Sequence, residues 1–243
     1  ELQYNEKQER EEYENLFSSL NIEQNKVYDS VLESVYNNMG KLFFLYGPGG
    51  MGKTFVYKTI ISKLRSEKRI VLPVASSGIA ALLLPGGRTA HSRFKIPLNV
   101  TEDSICDIKK GTMLAELLIK TDLIIWNEAS MSHRHTFETL DRTLRDLLST
   151  EDSLASEKPF GGKTILLGED FRQILPVIPH GTRADTVLAA ISQSYLWDAC
   201  NVFVLEKNMR LHHSKTKFAA WLLSVGNGNA TTCETDDATD KDD

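Results

Sequence analysis

The eight residues Gly47-Pro48-Gly49-Gly50-Met51-Gly52-Lys53-Thr54 are the stretch of this chain best suited to chemistry. They match the pattern G-x-x-x-x-G-K-[ST]. At that spacing glycines let the backbone curl so that successive N–H groups point at one anion. A helix that follows directly turns its positive end to the same phosphates. Lys53 then adds a point charge near the β and γ phosphates of a nucleotide, and Thr54 offers a hydroxyl to Mg²⁺. A nucleotide hydrolase also needs a carboxylate at the end of a neighbouring strand. Glu128 ends the apolar run Ile124-Ile125-Trp126-Asn127, a place from which it can polarise an attacking water. An ordinary strand-end Glu has the same local pattern, so Glu128 is not diagnostic alone.

These groups need a sheet edge to stand on, and the surrounding pattern predicts one. Residues 41–46 (KLFFLY) form a short apolar run leading into the glycines, the mark of a buried strand. Further strands are predicted at 69–74, 123–126, 163–167 and 202–205. Helices are predicted over 53–66, 78–84, 113–119, 135–148 and 216–225, the fourth with Phe137, Leu140, Leu144 and Leu147 on one side. The segment 20–39 has helical periodicity through Val27, Val31, Leu32 and Val35. Asn21 stands at its cap and Gln24 three residues on, as in a capping box. Residues 149–162 read as a loop. Alternating strands and helices imply an α/β fold with a mainly parallel sheet and helices on both faces.

Charge is uneven along the chain. The net charge is −5, but residues 1–15 carry −4 and residues 229–243 carry −5, which leaves +4 on residues 16–228. The body therefore permits phosphate contacts, and both acidic ends are expected to be mobile or disordered. Cys106, Cys200 and Cys233 show no metal-ligand spacing, which points to a reducing compartment without disulfides or zinc. No apolar run reaches membrane-spanning length, and the polar start is unlike a signal peptide. The chain does not begin with Met, so a fragment is expected.

Longer stretches carry a resemblance. LNIEQ (20–24), FFLYGPGGMGKTFVYKTI (43–60), ASSGIAALLLPGGRTAHSRF (75–94), LIIWNEASM (123–131), LDRTLRDLL (140–148), KPFGGKTILLGEDFRQILPVIP (158–179) and LEKNMRL (205–211) resemble the PIF-one-like DNA helicases of superfamily one, in the family's order. The resemblance is particularly to the copies found in plant genomes and in Helitron transposons. The resemblance implies a RecA-like P-loop NTPase fold over residues 16–228, ATP and Mg²⁺ at the phosphate loop, single-stranded DNA as partner, and a nuclear or mitochondrial location. It assigns adenine reading to Gln24, for which helix capping is the local alternative. It makes Gln173 the sensor of the γ-phosphate and Arg210 an arginine that contacts it, beside the catalytic pair Lys53 and Glu128. It makes Ser76, Ser77 and Gly78 holders of DNA phosphates, and His91 and Phe94 packing surfaces for sugars or bases, although Phe94 also suits a core. Met51 lies in the loop but reads as a packing residue.

Two positions depart from the family's pattern. Asn127 replaces the Asp that holds a Mg²⁺-bound water, so the metal set here is Thr54 and Asn127. Glu169 replaces a glycine; it either strains the backbone and repels ATP, or restores charge missing at Asn127. The motifs of a second motor domain are absent. The expected function is the first motor domain of a 5′-to-3′ ATP-dependent DNA helicase acting in repair, recombination, telomere maintenance or transposition. The alternatives are a decayed copy that binds without hydrolysis and an unrelated P-loop enzyme such as a small-molecule kinase.

Overall fold

Short apolar runs separated by helix-forming stretches fold into alternating strands and helices. The computed structural model describes residues 2–170 and 175–209, together with residues 218, 221, 224 and 225. In chain order its elements are α1 (Glu6–Phe17), α2 (Ile22–Tyr36), β1 (Leu42–Tyr46), α3 (Lys53–Ser66), β2 (Val71–Ala75), α4 (Gly78–Ala81), β3 (Arg88–Thr89), α5 (Ala90–Phe94), α6 (Met113–Lys120), β4 (Leu123–Asn127), α7 (Arg134–Leu148), β5 (Thr164–Glu169), α8 (Arg183–Leu188) and β6 (Cys200–Val204). The six strands lie in the order β3-β2-β4-β5-β1-β6, and every pairing is parallel.

Parallel strands need crossovers that bury both faces of the sheet, and the side-chain alternation here serves that need. Phe44, Leu72, Val74, Ile124, Trp126, Ile165 and Leu167 join Phe94 of α5, Leu118 of α6, and Phe137, Leu140 and Leu144 of α7 in one buried core. The intervening strand residues Phe43, Leu45, Ile125 and Leu166 are equally buried, and α2 and α3 pack against β5 and β2. The predicted strands and most helices are present with ends moved by one to three residues. The helix expected over 216–225 falls largely outside the described residues. Among those residues, no helix is long and apolar enough to cross a membrane.

The acidic N-terminal segment, expected from its composition to be mobile, carries α1, which packs along α3. Its contacts are polar and aromatic rather than aliphatic. The Arg65 guanidinium lies 3.6 Å from the Tyr4 ring centre, Lys63 lies 5.0 Å from that of Tyr13, and Glu6 pairs with Lys68 at 2.9 Å. No residue of α1 is buried, so a search for apolar periodicity has nothing to detect.

The C-terminal ends of β4, β5 and β1 come side by side in register. Asn127 lies opposite Gly168, Leu45 opposite Gly168 on the other side, and Tyr46 opposite Glu169. Gly168 is glycine because α3 presses on it: a Cβ there would lie 1.4 Å from the Tyr57 hydroxyl. This close approach keeps the first turns of α3 tight against the strand ends.

Candidate functional site

Loops leaving adjacent parallel strands at their C-terminal ends meet in a crevice, the usual ligand position of such sheets. The loop after β1 holds the phosphate-binding pattern. Its Gly47 N–H donates to the Glu169 carbonyl at 3.1 Å, and its Met51 N–H to the Pro48 carbonyl at 3.3 Å. Gly50 (φ 90°) and Gly52 (φ 86°) are left-handed, the conformation that glycine supplies without steric cost. α3 begins directly after Gly52 and has no side-chain cap. An uncapped helix N-terminus with curled backbone before it suits a phosphate. The Lys53 ammonium donates to the Gly47 carbonyl, so it lies across the loop. Thr54 is half-buried at the same helix start.

Met51 is buried at 2% exposure, so its side chain belongs to the core and only its backbone remains for a ligand. Gln24 is fully buried. Its Oε1 accepts the Asn21 N–H at 3.0 Å and its Nε2 donates to the Met51 carbonyl at 3.3 Å. The capping box is thus formed, and the same amide ties α2 to the phosphate loop. The second N–H and the second lone pair of this amide are not used by these two bonds, so what stands between Gln24 and an adenine edge is its burial. Beside it, Glu23 accepts the N–H groups of Glu206 (3.0 Å) and Lys207 (3.3 Å), anchoring the chain that leaves β6.

After β4, Asn127 is 3% exposed and Glu128 is half-buried. Glu128 has φ 56° and ψ 45°, a left-handed conformation that costs a non-glycine residue ~1–2 kcal/mol. Strain of this kind persists where surrounding bonds hold it, often at working sites. Glu169 is 1% exposed, and its φ is not left-handed, which removes the expected backbone strain there. Burial pushes its carboxyl above the ordinary range, and the Glu128 charge adds to that.

The DNA-gripping set is only partly at the surface. The Ser76 hydroxyl accepts from Trp126 Nε1 (2.9 Å) and from the Ser132 hydroxyl (2.8 Å). The Ser77 hydroxyl caps α4 by accepting the Ala80 N–H at 3.2 Å. Gly78 is exposed, and His91 is half-buried, with burial pushing its imidazole toward the neutral form. Phe94 corrects the expectation: it is fully buried, 6.1 Å from the Trp126 ring, and belongs to the core. Gln173 and Arg210 lie outside the described residues. Sequence reasoning missed Ser130 and Ser132, whose bonds to Glu169 and Ser76 cross 39 and 56 residues and leave no local signal.

A family model described as PIF1-like helicase matches residues 19–236. Among curated relatives, an "ATP-dependent DNA helicase Pif1" of Psychrobacter sp. is 31% identical over 159 residues, covering 65% of this chain and 23% of the relative. An "ATP-dependent DNA helicase PIF4" of Trypanosoma brucei brucei is 32% identical over 178 residues, covering 71% and 20%. A solved Bacteroides Pif1 helicase in complex with ADP-AlF3 and ssDNA superposes with a TM-score of 0.70 at 26% identity, covering 87% of this chain and 47% of that one. The chain thus spans about a fifth to a quarter of these two curated relatives and about half of the solved one. The fold is the RecA-like one of these helicases, and the chain belongs to the PIF1-like helicase family.

Proposed function

We propose that this chain is the first motor domain of an ATP-dependent DNA helicase of 5′-to-3′ polarity. The observation that carries the reading is the alignment of three strand ends: the phosphate loop on β1, Glu169 on β5, and Asn127-Glu128 on β4. The relatives are named as DNA helicases, and a solved neighbour holds ADP-AlF3 and single-stranded DNA.

In this reading, backbone N–H groups of residues 47–52 and the α3 N-terminus hold the β and γ phosphates, and Lys53 leaves the Gly47 carbonyl to meet them. The hydroxyl of Thr54 and the side-chain oxygen of Asn127 suit a hydrated Mg²⁺, both being neutral oxygen donors at the loop. The ion, when bound, offsets phosphate charge during transfer. Glu128 orients the attacking water and takes its proton. The family resemblance also assigns Gln173 and Arg210, both outside the described residues, to the γ-phosphate. Gly78, His91 and the segment around Ser76 and Ser77 meet single-stranded DNA, and a second motor domain closes the cleft. The whole protein would serve DNA repair, recombination or telomere maintenance. The test is ATP hydrolysis with and without single-stranded DNA. Hydrolysis that rises with single-stranded DNA is expected; hydrolysis indifferent to DNA would remove the motor reading.

Asn127 favours a second reading, in which nucleotide binds but is hydrolysed slowly. Loss of an outer-shell metal partner typically costs ~10–100-fold in affinity or activity. Asn127→Asp is therefore expected to raise the rate at limiting Mg²⁺, toward the lower end of that range. The new carboxylate would be buried beside Glu128 and Glu169, and like charges resist ionisation together. A Mg²⁺ titration of hydrolysis checks this; no gain at any Mg²⁺ concentration would mean that Asn127 is not what limits the rate.

A further inference from the structure

Glu169 stands where the resemblance leads one to expect glycine. Its backbone is ordinary strand, so the explanation for a buried carboxylate lies in what it touches. Its Oε2 accepts the Ser130 N–H at 2.6 Å, and its Oε1 accepts the Asp170 N–H at 2.6 Å. The Ser130 hydroxyl bonds the same carboxylate. Backbone N–H groups donating to both oxygens of one carboxyl hold it in a fixed orientation. Both oxygens are therefore directed at protein donors, not outward to a metal ion or a phosphate.

Ser130 lies in the single helical turn Ala129–Met131, and the residue that caps that turn is the left-handed Glu128. Apart from Glu169, the bonds across the turn are weaker: Met131 N–H to the Glu128 carbonyl at 3.4 Å and Ser132 N–H to the Ala129 carbonyl at 3.1 Å. One carboxylate on β5 thus holds the middle of a strained turn on β4. The Glu169 carbonyl also accepts the Gly47 N–H, so the same residue touches the start of the phosphate loop.

We propose that Glu169 is a positioning residue: its carboxylate clamps the β4 turn to the end of β5 and so sets where the Glu128 carboxylate stands relative to the phosphate loop. This rests on the reading of Glu128 as the group that orients the attacking water. Gln at this position keeps the shape but accepts only one of the two N–H groups. Gly removes the clamp altogether.

Two measurements test it on Glu169→Gln and Glu169→Gly, with Glu128→Gln alongside. The first is amide hydrogen exchange in the 243-residue chain. Exchange at Ser130 is expected to accelerate by about tenfold or more, while β4 core amides such as Ile124 change by less than about threefold. Ser130 exchange that is unchanged, or that rises only together with the whole sheet, overturns the clamp. The second is single-turnover hydrolysis, where the rate is expected to fall ~10–100-fold with apparent ATP affinity held within about threefold. Equal losses in rate and affinity, or full activity despite fast Ser130 exchange, overturn the positioning role. If Glu128→Gln hydrolyses normally, the water-orienting reading falls instead, and the exchange result still judges the clamp.

Discussion

Lys53→Ala is expected to abolish measurable ATP hydrolysis and to weaken nucleotide binding about 10- to 100-fold, the equivalent of ~1.5–3 kcal/mol for a charge-assisted hydrogen bond. The side chain is half-buried at the first position of α3, and its ammonium rests on the Gly47 carbonyl. That carbonyl is a neutral acceptor, readily exchanged for a polyphosphate, which attracts the ammonium far more strongly. Removing Lys53 leaves the backbone donors and the α3 N-terminus in place, so binding should weaken rather than vanish. The reaction suffers more, because charge gathers on the γ-phosphate oxygens as the bond breaks. Lys53 contributes nothing to the buried core, so the melting temperature should stay within a few degrees. Lys53→Arg should not restore activity: a planar fork differs in reach and shape from an ammonium point charge. A fluorescent-nucleotide titration with a phosphate-release assay reads both effects. Binding within about threefold of the unaltered chain would mean that the loop does not hold phosphate as argued.

The phosphate loop was legible because its signal is local. Eight contiguous residues, an apolar run before them and a helix after them specify the strand–loop–helix unit. The sheet was legible for a similar reason, since buried parallel strands are near-continuous apolar runs. The two-residue β3 is too short to leave a pattern, and the N-terminal segment with α1 docks through Tyr4, Tyr13 and Glu6 rather than through an apolar stripe. Phe94 shows a different limit. Its neighbours in sequence suggest a DNA-facing segment, but its burial is decided by Trp126, 32 residues away. The same holds for Ser76, whose hydroxyl is taken by Trp126 and Ser132. At Glu169 the sequence shows that something differs, and only the Ser130 N–H, 39 residues earlier, shows what the difference is for.

Glu128→Gln is expected to lower hydrolysis by ~10²–10⁴-fold, the usual range for loss of a general base, while nucleotide binding is kept or slightly improved. Gln fills the same space and still accepts a hydrogen bond from water, but it cannot take the proton. Removing its negative charge also eases the approach of a polyphosphate and removes one cause of the raised Glu169 pKa, so the Glu169 carboxyl should titrate lower. Glu128→Gly separates function from stability more sharply. Glu128 is left-handed at φ 56°, at a cost of ~1–2 kcal/mol that glycine does not bear. Glycine loses more backbone entropy on folding, roughly 0.5–1 kcal/mol, so the net gain should be about 1 kcal/mol or less. For a chain of this size that corresponds to a melting temperature higher by up to about 2–4 °C. The expected result is therefore a protein that hydrolyses no ATP yet melts later than the unaltered chain. Glu128→Ala should be equally inactive without that gain, because alanine bears the same left-handed cost. If Glu128→Gly melts no later than Glu128→Ala, the turn is not strained in solution. If Glu128→Gln keeps its rate, the water must be activated from another strand end.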